Sequence, residues 1–146
     1  MGGAAVVLLL AVLMVSCVSR TLIYSYLPVS GGWLSTDTIR FHLADIPSND
    51  IYSFHAGVRY TDRYSYRDIW LVMEQRTGTT VRLDTLHIDL MPAARGLRER
   101  GVVMHEAEVL VRAYRLAAGQ GLDVLIYPIM TDSLLDGITD VGLRVE

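Results

Sequence analysis

The sequence predicts an all-β domain, a single antiparallel two-sheet β-sandwich of jelly-roll or immunoglobulin-like type, after an N-terminal lipoprotein signal peptide and a short tether. Three observations carry that prediction. Roughly six or seven short stretches beyond Ile39 are built from β-formers, several of them alternating apolar and polar residues with period two. Clusters of Gly, Asp, Pro, Ser and Thr separate them, and no strand–helix–strand alternation appears.

Taken in order, residues 1–16 come first as an export signal. Ala4 to Val15 is an unbroken apolar run of about a dozen residues, short of the roughly 20 that a membrane-spanning helix needs and suited to a signal-peptide core. It closes on Met14-Val15-Ser16-Cys17, a pattern that looks like a bacterial lipobox in which Cys17 takes the lipid. Met14 stands where leucine is commoner, and Met1-Gly2-Gly3 lacks the usual positive charge. Cys17 is the only cysteine, so the domain beyond it has no internal disulfide, no CxxC site and no cysteine nucleophile. Attachment to a membrane through this residue is expected, since several acyl chains on one cysteine hold a protein stably where one does not.

Residues 17–36 read as the lipidated N-terminus and a tether with room for one short extended piece, because Pro28, Gly31 and Gly32 interrupt the little periodicity there is. Tyr24, Tyr26 and Trp33 are expected to pack that tether onto the domain. The sandwich is expected over 37–146. Ile39, Phe41 and Leu43 alternate with Arg40 and His42, and Phe54, Ala56, Val58 and Tyr60 alternate with His55, Gly57 and Arg59, as half-buried strands do. Ile69 to Gln75 is nearly all apolar, which predicts a central strand buried on both faces. Thr77-Gly78-Thr79 supplies a hairpin turn, and the return from Val81 to Leu90 changes apolar phase, which a bulge near Asp84 would absorb. From Glu106 to Leu116 two readings stand. Good helix formers with Gly119 beyond them suit a helix, while Val109, Val111 and Ala113 on one phase suit a strand, and the strand is adopted. Leu122 to Met130 and the alternating Val141, Leu143 and Val145 complete the set.

Charge and composition exclude several functions. A net charge of −3 carries no basic footprint, so nucleic acid is not an expected partner. All 13 cationic side chains are arginine, which excludes Schiff-base chemistry, a P-loop lysine and a Ser-Lys dyad. His42, His55, His87 and His105 show no metal-ligand spacing, and Asp132, Asp136 and Asp140 are explained more simply by turns than by calcium. No cofactor or catalytic residue is expected.

Four blocks of sequence carry a resemblance. YSYLPVSGGWLSTDTIRF (Tyr24 to Phe41), VRYTDRYSYRDIWLVM (Val58 to Met73), the DTL of Asp84 to Leu86 and DGITDVGLRVE (Asp136 to Glu146) are similar, in order and spacing, to the gliding-motility lipoprotein H family, GldH, of the Bacteroidetes. That resemblance implies a lipid-bearing cysteine, which here is Cys17, and a β-rich domain favouring strands within Glu106 to Tyr114. It also implies an accessory, non-enzymatic role in gliding and its associated secretion system, with the protein held at the outer membrane and contacting other envelope proteins.

The expected contact surface is the loop around Arg63, Tyr64, Tyr66, Arg67 and Asp68, where tyrosines and arginines interleave as they do at binding sites. A structural corner, with Tyr64 and Tyr66 packed beneath the loop, is the alternative. A carbohydrate-binding sandwich using Tyr64, Tyr66 or Trp70 as a stacking platform is the competing function, and it needs Trp70 exposed and the tyrosines on one flat face.

Overall fold

A computed structural model of the chain describes residues 20–90 and 103–146. Among them are ten strands and no helix: β1 (Ile23–Pro28), β2 (Trp33–Leu34), β3 (Ile39–Leu43), β4 (Asp50–Thr61), β5 (Asp68–Thr77), β6 (Thr80–Asp89), β7 (Met104–Leu116), β8 (Leu122–Pro128), β9 (Leu134–Leu135) and β10 (Ile138–Val145). Two four-stranded antiparallel sheets, ordered β1-β10-β4-β7 and β3-β8-β5-β6, pack face to face, and β2-β9 forms a two-stranded ribbon. Apart from the β5–β6 hairpin, successive long strands alternate between the sheets. This is the strand order of a jelly roll rather than of an immunoglobulin domain. Period-two alternation turns Phe54, Ala56 and Val58 inward from β4 and Val141, Leu143 and Val145 from β10. They meet Ile69, Leu71 and Met73 of β5, and every one of these side chains is buried.

The segment expected as a tether enters the sandwich. Ile23–Pro28 pairs residue for residue with β10, from Ile23 opposite Val145 to Pro28 opposite Asp140. Its pattern is hidden in sequence because it is an edge strand: only Ile23 and Leu27 lean on the core, while Tyr24 points outward and is 61% exposed. Trp33 is fully buried in the core, with its indole N–H donating to the Asp37 carbonyl at 3.2 Å. Tyr26 lies across two strands, over Gly142 of β10 and Gly57 of β4. A Cβ on either glycine would stand 2.4 Å from its ring or hydroxyl, so a side chain at either position would displace Tyr26 from its seat. The Arg59 guanidinium caps the ring at 4.0 Å.

Three further expectations are revised. β5 is central, between β8 and β6, but is buried on one face, with Trp70 exposed on the other. β6 has no bulge, since its register with β5 runs unbroken from Asp89 opposite Asp68 to Thr80 opposite Thr77. The change of apolar phase has another cause: Val81 and Leu83 face solvent, and Arg82 and Asp84 occupy the inward phase at the open side between the sheets. There Asp84 accepts from the Tyr114 hydroxyl and from Gln75 Nε2 at 3.3 Å, and Arg82 covers the Tyr114 ring at 5.0 Å. The Glu106 to Leu116 segment is strand, as adopted. Its register against β4 slips between Phe54 and His55, so Tyr114 turns inward with Leu116 in place of the expected Ala113.

The strands run between two ends. At the near end lie the start of β1, the β3–β4, β5–β6 and β7–β8 connections and Glu146. At the far end lie the β4–β5 corner, the β1–β3 connection and the segment from Ile129 to Gly137.

Candidate functional site

The tyrosine and arginine loop, residues 62–67, is the far-end corner where the chain leaves β4 for β5. Its inner layer is structural. The Thr61 N–H donates to the Gly137 carbonyl at 2.8 Å and the Tyr64 N–H to the Thr61 carbonyl at 3.0 Å. Gly137 has φ of 91°, and a Cβ there would lie 2.3 Å from the Tyr64 nitrogen, so the corner presses backbone against backbone. Tyr64 is 8% exposed, its hydroxyl donates to the Asp68 carbonyl at 3.0 Å, and burial pushes that hydroxyl well above the ordinary tyrosine range. It belongs to the core and not to the surface, which revises its expected place among contact anchors: the hydroxyl's bond to Asp68, four residues on at the start of β5, holds the ring under the loop.

The outer layer is exposed and held from across the far end. Arg63 Nη2 donates to Asp136 Oδ2 at 2.9 Å, and the Tyr66 hydroxyl donates to Asp132 Oδ2, a bond that raises its pKa. Two of the aspartates that suggested calcium thus orient the loop; among the described residues no group of three metal-ligating side chains converges. Arg67 is exposed. Asp68 is half-buried and already engaged, its carboxylate accepting from His87 Nε2 at 2.8 Å.

Between these layers opens a cleft of about 400 Å³, lined by Tyr60, Asp62, Tyr66, Arg67, Leu90 and His105 among others. Tyr60 and His105 were not visible as a pair in the sequence. They become cross-strand partners through the β4–β7 register, with ring centroids 5.2 Å apart. His105 Nε2 stands 2.9 Å from Asp62 Oδ1, and the Tyr60 hydroxyl donates to the Leu90 carbonyl at 2.9 Å. The Thr61 hydroxyl donates to the Gly137 carbonyl at 3.4 Å.

The other histidines stand apart. His42 lies 2.9 Å from Asp123, and His55 lies between Glu108, Glu146 and Arg144 on the outer face of the β1-β10-β4-β7 sheet. Trp70 is 41% exposed, but one face of its ring stacks on His87 at 4.4 Å. Tyr64 and Tyr66 meet at 61°, so the tyrosines offer no shared flat face for a sugar. Cys17 and the signal segment lie outside the described residues.

Among solved structures, Eiger TNF from S. frugiperda aligns with a TM-score of 0.39 and 14% identity, over 86% of this chain and 92% of that one. The gliding motility lipoprotein GldH of Flavobacterium johnsoniae is 24% identical over 99% of this chain and 96% of its own length. The family model described as GldH lipoprotein matches residues 22–145, which takes in β1 and every later strand, and this chain belongs to the GldH lipoprotein family.

Proposed function

We propose that the chain is a non-catalytic, lipid-anchored component of the gliding and secretion machinery, held at the outer membrane by acyl chains on Cys17, and that it acts through contacts with other envelope proteins. Membership of the GldH lipoprotein family supports the setting. The observation that carries the mode of action is the two-layered corner. Arg63, Tyr66 and Arg67 are exposed, and two of them are pinned by Asp136 and Asp132, over a floor of buried Tyr64 and Gly137. Pinning removes side-chain freedom before a partner arrives, and arginine and tyrosine are the residues in which binding energy concentrates. The absence of lysine and of any cysteine beyond Cys17 leaves Schiff-base, Ser-Lys and cysteine-nucleophile chemistry without a residue to carry it in the domain.

The test is cross-linking in cells followed by isolation of the tagged protein, comparing wild type with an Arg63→Ala, Tyr66→Ala double variant. Loss of captured envelope proteins at unchanged abundance and thermal midpoint is expected. Equal capture by both would move the contact surface elsewhere.

A further inference from the structure

The strands define a long axis, with the start of β1 at one end and the corner at the other. At about 3.3 Å per residue, the 12 residues of β4 span about 40 Å between those ends. Only six peptide steps join Cys17 to Ile23, where β1 begins at the near end; at no more than about 3.6 Å per residue they reach about 22 Å. A lipid held on Cys17 therefore cannot bring the far end to the bilayer with the near end pointing away.

Two of the near-end loops can also approach headgroups without burying a charge of their own. These loops, Thr77 to Thr80 and residues 117–121 (AAGQG), carry small or neutral residues and no charge. The charges flanking them in sequence are Arg76 and Arg82 on one hairpin and Arg115 and Asp123 on the other, and the third connection carries Asp45 and ends at Asp50. The far end is charged and aromatic, with Asp62, Arg63, Tyr66, Arg67, Asp132 and Asp136 in its loops. Lying on its side is disfavoured on both faces. One outer face carries Glu106, Glu108 and Glu146 with Arg59 and Arg144 beside an exposed Leu110, and the near half of the other carries Arg40, His42, Glu74, Arg76 and Asp123 around the exposed Val81 and Leu83. Pressing either onto lipid would strip water from those ions.

We infer that the sandwich stands on end, its near-end loops against the phospholipid surface and its Tyr66 corner about 40 Å above it. A partner that reaches the corner must then stand off the membrane that holds the anchor. This orientation rests on acylation of Cys17.

Acylation would consume the only thiol, so single cysteines can be introduced and labelled. Thr79→Cys and Gln120→Cys at the near end and Ser65→Cys at the far end are all exposed positions. Full-length protein, purified from membranes and checked by mass for the acyl chains, is reconstituted into phosphatidylcholine–phosphatidylglycerol vesicles containing a headgroup nitroxide phospholipid. Fluorophores at residues 79 and 120 should lose most of their emission and the one at 65 should keep it. Quenching at all three positions would mean a side-lying domain, and quenching at 65 alone an inverted one; either overturns the orientation while leaving the anchor intact. A protein without acyl mass overturns the anchor, and the orientation with it.

Discussion

Replacing Tyr64 with alanine separates the two layers of the corner. The side chain is 8% exposed, so its loss removes a buried aromatic ring, a change that costs about 3–5 kcal/mol in protein cores. The edge contacts with Tyr60 at 6.4 Å and Tyr66 at 5.7 Å fall within that figure. The hydroxyl's bond to the Asp68 carbonyl adds about 1 kcal/mol and can be isolated with Tyr64→Phe. Total stabilities are about 5–15 kcal/mol, so Tyr64→Ala should still fold but with a midpoint lower by about 10–20 °C for a domain of this size. Tyr64→Phe should fall by only a few degrees. The assay is thermal unfolding of the soluble domain followed by circular dichroism, with Tyr66→Ala as control, since that exposed ring should leave the midpoint nearly unchanged. An unchanged midpoint for Tyr64→Ala, or equal losses for Tyr64→Ala and Tyr66→Ala, would refute the division into floor and surface.

Burial holds the Tyr64 and Tyr26 hydroxyls protonated, above their ordinary pKa. Their contribution is complete below the unfolded value near 10 and is lost as pH rises through the folded values. Denaturant midpoints should therefore fall above about pH 10, and a Tyr26→Phe, Tyr64→Phe double variant should flatten that fall. Asp84→Ala should destabilise the domain by about 2–4 kcal/mol in urea unfolding, because it leaves the buried Gln75 amide and the Tyr114 hydroxyl without their acceptor. Cys17→Ser should move the protein out of the membrane fraction or leave an uncleaved precursor, and metabolic fatty-acid labelling should vanish; labelling that survives would contradict the anchor.

Alternation along β3, β4 and β10 was legible because each has one buried face, and the turn at Thr77-Gly78-Thr79 because its chemistry is local. β1 was legible only as a short extended piece of a tether and not as part of a sheet: an edge strand owes its place to the free edge of β10 rather than to its own pattern. Phase was misread in β6 because Asp84 faces inward with its polar atoms satisfied, a state that depends on Tyr114, 30 residues away. The corner loop was legible as a concentration of tyrosine and arginine. Which tyrosine was floor and which was surface was set by Gly137 and Asp132, far along the chain. The C-terminal string that carries the family resemblance has a physical reason for two of its residues: Gly137 admits the Tyr64 backbone and Gly142 seats the Tyr26 ring.

The proposed role of the chain in gliding and secretion turns on its far-end corner. Its most direct test replaces the chromosomal copy with the Arg63→Ala, Tyr66→Ala variant and measures surface spreading together with protein exported to the medium. Both should be lost while the variant stays folded, abundant and membrane-bound. Spreading and export at wild-type levels would contradict it.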